Sequence, residues 1–397
     1  MAKARGRRDR RPRGRTALVC AGGGITGAVY EIGCLRALED LLDRSVLDFD
    51  VYVGVSGGAF VAALLAAGVS PAEMYEAVSS PNGRPGWNQA PLFRLGAAEF
   101  ARRSLRAPRL LVQAARQTLA GRPPGLSDLA LSLFQALPSG LLDSSGLQEY
   151  LAAALRRRGL ADSFPALPRE LYVVGVDLDS GEAVAFGDRK HRAVPVSRAV
   201  QASAALPGLY RPVRIGGRDY VDGGVKKTAH INLAIRHGAD LVVCINPIVP
   251  LRNDARDGPF RGHLSEKGVT WVLDQVLRIM LHGRMEYGLE RYRAEHPEVD
   301  VLVLQPTRGD LRMSRYNLMR YSARRVVAEC GYRSAREAFR RHRARYARVF
   351  ARHGIRVGRP AALPDVPVSL PCHSELGREL DASLGRLEGH LRPGRRR

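Results

Sequence analysis

Three glycine-bearing motifs hold the residues that could do chemistry. Gly54-Val-Ser56-Gly-Gly58 has the form G-x-S-x-G. It follows an apolar run, Phe49 to Val55, that reads as a strand, and precedes Ala59 to Ala67, which reads as a helix. A serine on such a tight turn has an exposed hydroxyl, and the amides at the helix N-terminus favour negative charge. Ser56 is therefore a candidate nucleophile, although a plain turn with a capping serine has the same residues. Gly22-Gly-Gly-Ile-Thr-Gly27 fits G-x-G-x-x-G at Gly22, Gly24 and Gly27. Such a loop can seat a dinucleotide phosphate, aim backbone amides at a developing oxyanion, or simply turn. The dinucleotide reading lacks its usual acid, because the second strand ends in Ser56 and has Asp48 and Asp50 at its start. Asp222-Gly-Gly224 follows Tyr220-Val221 and could hold a carboxylate in a tight turn, or be an ordinary Asp-Gly turn.

A serine nucleophile needs a base. An α/β-hydrolase would run in the order serine, acid, histidine, with the serine well into the sheet. Ser56 follows only the second strand. None of the ten histidines has an evident partner. His230 and His237 stand nearest to a motif, and both read as surface or cap residues. Asp222 is the better candidate.

In this order, the three motifs resemble those of the patatin-like phospholipases, serine acyl hydrolases with a Ser-Asp dyad. Val176-Asp-Leu-Asp-Ser-Gly181, Ala202-Ser-Ala-Ala-Leu-Pro-Gly208 and Gly238-Ala-Asp240 extend the resemblance over about residues 16–305. It implies a three-layer α/β/α fold with a mostly parallel central sheet. It implies Ser56 as nucleophile, Asp222 as proton acceptor, and backbone amides of Gly22, Gly23 and Gly24 as the oxyanion hole. Gly27, Gly54, Gly58, Gly223 and Gly224 would be the remaining motif glycines. The expected substrate is a lipid or other acyl ester, cleaved without metal or cofactor; transfer of the acyl group to an alcohol is the alternative. Two positions depart from the family pattern. Thr26 stands where Arg or Lys is usual, and Thr228-Ala-His230 where Asn-x-Pro is frequent.

The elements that must position these residues alternate. Strand Thr16–Ala21, helix Ala28–Leu42, strand Phe49–Val55 and helix Ala59–Ala67 argue a parallel sheet with helices on its faces. Further strands are expected at 170–177, 241–245 and 299–304, with Ala183–Phe186 beside the first of these. Val196–Ala205 reads as a helix, Tyr210–Ile215 and Asp219–Val221 as strands, and Val269–Arg293 as a long helix. The chain divides into a disordered basic arm (1–15), a catalytic domain (16–310) with a helical insertion or cap at 80–145, an Arg-rich helical extension (311–356) and a tail (357–397).

Charge and composition narrow the class. The 397 residues are 45% hydrophobic and 25% charged, which suits a globular chain with a sizeable core. The net charge of +23 is uneven. Residues 1–15 carry eight basic side chains against Asp9, and 315–353 carry twelve Arg against Glu329 and Glu337, while the body between is nearly neutral. Such segments could meet nucleic acid, yet aromatics are only 6% and no RNA-binding motif is present. Nucleic acid is not expected as a partner; an anionic membrane surface is, through the arm and the apolar, Arg-rich segment 94–122. The longest apolar stretch, Ala59 to Val69, is far short of the ~20 residues of a membrane span. Five scattered cysteines with no C-x-x-C pair suggest a reduced, cytoplasmic compartment.

Overall fold

The computed structural model describes residues 14–80, 94–95, 138–253, 256, 262–306 and 321–358. Residues 1–13 of the arm, most of the 80–145 insertion including 96–122, and 359–397 of the tail lie outside these.

Strands β1 (Arg15–Cys20) and β2 (Val51–Val55) are apolar runs buried along almost their whole length. That is the pattern of a parallel sheet covered on both faces. β1 pairs in parallel with β2, and β2 with the first half of β5 (Glu170–Asp177). On the other side of β1 lie β10 (Ala239–Ile245) and β11 (Asp300–Leu304), also parallel. Beyond β5 the sheet turns antiparallel, through β9 (Arg218–Asp222) and β8 (Val213–Ile215). β6 (Ala183–Phe186) pairs antiparallel with β5, as the sequence suggested. Among the described residues the sheet thus has eight strands, most of them parallel. Arg15, assigned from sequence to the arm, opens β1, and its guanidinium holds Glu170 and the carbonyl of His237.

Helices cover both faces. On one lie α1 (Gly24–Leu41), α2 (Gly57–Ala66), α3 (Pro71–Ser79), α4 (Ser145–Arg157) and α5 (Val196–Ser203). On the other lie α6 (Ile231–Arg236) and α7 (Val269–Glu295), whose Met285 and Tyr292 join that core. This is the expected three-layer α/β/α arrangement. The Arg-rich helices α8 (Arg324–Arg341) and α9 (Arg343–Arg352) share the α1 core, burying Val327, Phe339 and Phe350. α8 crosses α1 so closely that a Cβ on Gly331 would overlap the carbonyl oxygen of Tyr30. Arg333, Arg340 and Arg341 pair with Glu329 and Glu337 on the outer side.

Three elements differ from the sequence reading. α1 begins four residues early, at Gly24, with Gly27 donating its amide to the Gly23 carbonyl inside the first turn. The run 210–215 is two strands, β7 (Gly208–Tyr210) and β8, because Pro212 has no amide to donate between them. The C-terminal end of the 80–145 segment is not helical. β4 (Gly140–Asp143) pairs in parallel with β7 and antiparallel with the short β3 (Arg94–Leu95), making a second sheet. Gly140 permits that pairing because its Cα packs against the Tyr210 backbone, where a side chain would not fit.

Candidate active site

Ser56 and Asp222 come from strands far apart in sequence, and β5 brings them together. Val174 of β5 pairs with Val55 on one edge and with Ala185 of β6 on the other. The next residue, Gly175, pairs with Asp222 and with Val184 of β6. Since β6 occupies one edge throughout, β2 and β9 occupy the other, end to end. The two strands run in opposite directions, so their C-terminal ends meet. Ser56 leaves β2 just where Asp222 leaves β9.

Ser56 is held in an unusual conformation. It is the only non-glycine residue with positive φ among those described, at φ 55° and ψ −130°. Such a backbone costs on the order of 1–3 kcal/mol and persists only where the surroundings enforce it. Here the Ser56 amide donates to Ser203 Oγ at 2.9 Å, and Ser203 in turn donates to the Val174 carbonyl at 2.5 Å. Although Ser56 occupies the N-cap position of α2, its side chain makes no capping bond. The hydroxyl instead lies near enough to the Asp222 carboxyl to lower its pKa.

Asp222 is 2% exposed. Its amide donates to the Ala205 carbonyl at 3.0 Å, and its Oδ1 accepts from the Gly224 amide at 2.8 Å. Burial raises its pKa to about 6, against the lowering effect of the nearby Ser56 hydroxyl and the Gly224 amide. Desolvation penalises the charged form, and two donors do not offset it. Gly223, buried between Asp222 and Gly224, packs against the Val174 carbonyl.

The loop Gly22-Gly23-Gly24 runs beside the serine, each residue at positive φ (66°, 135° and 62°). A Cβ on Gly22 would lie 2.7 Å from the Val55 carbonyl oxygen and 2.9 Å from Ser56 Cβ, so only glycine lets the loop pass this close. Gly24 starts α1, whose N-terminal end therefore points its amides at the site. Gly54 lies in β2 and Gly58 in α2, where a Cβ would stand 2.5 Å from the Cys20 carbonyl oxygen. Thr26, in the first turn of α1, is buried.

Ser56, Asp222 and the three loop glycines line one cavity of about 320 Å³. Its walls are apolar, with Phe60, Leu147, Leu206 and Ile248 among them, and α7 contributes Leu277 and Leu281. Asp222 and Arg284 are the only charged side chains among the described residues that line it, and no histidine is among them. The two histidines singled out from sequence flank α6, as its N-cap and C-cap. His230 is buried, which lowers its pKa to about 4, and its Nε2 lies 3.4 Å from the Gly223 carbonyl. His237 Nδ1 bonds the Tyr172 hydroxyl at 3.0 Å. Thr228 donates to the Leu281 carbonyl at 2.6 Å, tying the turn after Asp222 to α7. Thus Thr228 and His230, the departures from the family pattern, hold that turn in their own way. Ser203 and Ala205 lie in the Ala202–Gly208 stretch, where nothing in the sequence alone assigns them a role.

A sharply turned serine beside a buried aspartate, at the end of a mostly parallel sheet covered by helices on both faces, defines a three-layer α/β/α fold. The chain belongs to the patatin-like phospholipase family, whose pattern it matches over residues 18–235. It is 26% identical over 229 residues to an NTE-family protein of Mycobacterium tuberculosis, a match covering 58% of this chain and 30% of that protein. The chain therefore spans less than a third of that relative's length. Among solved structures it is similar to VipD from Legionella pneumophila, with a TM-score of 0.37, 14% identity, and coverage of 83% of this chain and 67% of VipD. A human GIVD cytosolic phospholipase A2 structure gives a TM-score of 0.36 and 14% identity, covering 86% and 59% of the two chains.

Proposed function

We propose that this chain hydrolyses carboxylic esters of lipids through an acyl-enzyme on Ser56, with Asp222 as the proton acceptor. The observation that carries the reading is the meeting of Ser56 and the buried Asp222, at strand ends placed against one edge of β5, in an apolar cavity lined by no described histidine. A free aspartate, with a pKa near ~3.9, is a poor base at neutral pH. Burial of Asp222 raises its basicity while leaving it mostly ionised at pH 7.

In the proposed reaction Ser56 Oγ attacks the ester carbonyl as its proton passes to Asp222. Amides of Gly22, Gly23 and Gly24 stabilise the oxyanion, with the N-terminal end of α1 behind them. The C–O bond breaks, and the departing alcohol takes the proton from Asp222. A water molecule then gives its proton to Asp222 and attacks the acyl-enzyme; Ser56 regains the proton as the carboxylic acid leaves. With Thr26 in place of a basic residue, the motif itself supplies no cation to the oxyanion. The apolar walls suit an acyl chain, since pockets of a few hundred Å³ lined by such residues desolvate apolar ligands.

The test is release of fatty acid from phospholipid vesicles, and of alcohol from a soluble short-chain ester, by the wild-type protein and by Ser56→Ala. Turnover by the wild type and none by the variant would support the reading. Equal turnover by both would remove Ser56 from it.

A further inference from the structure

The N-terminal half of α7 has a surface unlike the rest of this charged protein. From Gly268 to Gly283 the only ionisable side chains besides the half-buried His282 are Asp274 and Arg278. Both are buried, and they pair with each other at 2.8 Å. Apart from Thr270, the side chains that face outward are apolar: Val269 (69% exposed), Val272, Leu273 (62%), Val276, Ile279 (52%) and Met280. At 100° per residue these six lie within an arc of about 120°, and the stripe they form runs for about 17 Å along the helix. Isolated exposed apolar residues need no explanation, but a continuous stripe with no exposed charge does.

Its position says what it meets. Met280 belongs both to the stripe and to the wall of the active-site cavity, and Leu277 and Leu281 continue that wall around the helix. Val225, in the turn directly after Asp222, is also exposed and also lines the cavity, and Arg284 bonds its carbonyl at 2.6 Å. The stripe is thus the outer continuation of the cavity lining. Exposed cations, Lys267 and Arg284, stand at its two ends, while the neighbouring carboxylates are engaged: Glu266 with the His263 amide and Glu286 with His282. An apolar stripe bounded by cations is the pattern of a helix lying in a lipid interface.

We infer that the exposed face of α7 docks on a phospholipid bilayer and sets the cavity mouth against it. The inference rests on the reading of the site as a lipid ester hydrolase. Val269, Leu273 and Ile279 enter the acyl region, and Lys267 and Arg284 lie at headgroup level. A lipid tail then passes from bilayer to cavity along Met280 without crossing water.

The test is co-sedimentation with phosphatidylcholine vesicles in 0.5 M salt, which screens the basic arm and isolates the apolar contribution. The variant is Leu273→Glu/Ile279→Glu, at two positions that do not line the cavity. Leu273→Ser/Ile279→Ser serves as a second variant without added charge. Expected is at least a tenfold loss of vesicle partitioning for the first and a smaller loss for the second, with soluble short-chain ester turnover unchanged in both. Equal partitioning of wild type and both variants would overturn the inference. So would a wild-type dimer that the variants convert to monomer while neither form binds vesicles, because a second copy would then cover the face. Loss of partitioning in a protein that turns over no soluble ester would sustain the docking surface and overturn the hydrolase reading instead.

Discussion

Ser56 and Asp222 meet because the strands that carry them end against the same edge of β5. Val55 pairs with Val174, and Asp222 pairs with Gly175, the next residue along. This placement is set by sheet register, so a slip of one residue in β9 would turn the carboxylate to the other face. Ser203 adds a lock, because its hydroxyl holds both the Ser56 amide and the Val174 carbonyl.

The pH dependence of ester turnover should report Asp222. Its carboxylate must be ionised to accept the Ser56 proton, and burial raises its pKa to about 6. Turnover of a soluble ester should therefore rise with pH, pass half-maximum near pH 6 and level off above 7. His230 is already neutral across this range, since burial lowers its pKa to about 4. A half-maximum near 4 would show that Asp222 does not behave as the structure requires.

Asp222→Asn should lose at least a thousandfold in kcat, because the amide cannot take a proton, while gaining stability. The sign follows from linkage. A carboxyl with a raised pKa in the folded state contributes stability that is full below the unfolded value of about 4 and is lost as pH rises through about 6. At pH 8 the wild type therefore carries a penalty on the order of 3 kcal/mol, at about 1.4 kcal/mol per pKa unit. The asparagine variant should be more stable by up to that amount at pH 8 and by little at pH 4, as read from urea unfolding. By contrast, His237→Ala should leave kcat within a few fold, since His237 bonds Tyr172 on the far side of α6.

Much of this site is legible in the sequence, for a physical reason. A tight strand-to-helix turn around a serine needs small residues at fixed offsets, so Gly54, Ser56 and Gly58 announce it. Asp222 is legible only as part of an ordered set, because an Asp-Gly-Gly triplet alone is a common turn. What local pattern could not provide was the long-range pairing. Ser203 looks like any helical serine until β5 is placed beside it. β4 was hidden because its partner β7 lies 68 residues away in register, and strand pairing at that distance leaves no periodic signal. α8 read as an appendage because arginine dominates its composition. Its buried face, with Val327, Ala328, Gly331 and Phe339, follows helical spacing all the same.

The crossing of α1 and α8 makes Gly331 a structural requirement. A methyl group there would meet the Tyr30 carbonyl, and both helices would have to part. Gly331→Ala should lower the unfolding free energy by about 1–3 kcal/mol, the usual range for overpacking. Its melting temperature should fall accordingly. An unchanged melting temperature would mean that α8 does not pack on α1 as described. Because α1 begins at the glycine loop beside Ser56, ester turnover in that variant should also drop at temperatures where the fold persists.

One measurement tests directly whether Ser56 is a nucleophile activated by Asp222. A long-chain alkyl fluorophosphonate should react with the wild-type protein at one-to-one stoichiometry. Peptide mass spectrometry should place the adduct on Ser56. Ser56→Ala should take up no label, and Asp222→Asn should react at least a hundredfold more slowly. An adduct on another residue, or full labelling of Ser56→Ala, would contradict the account.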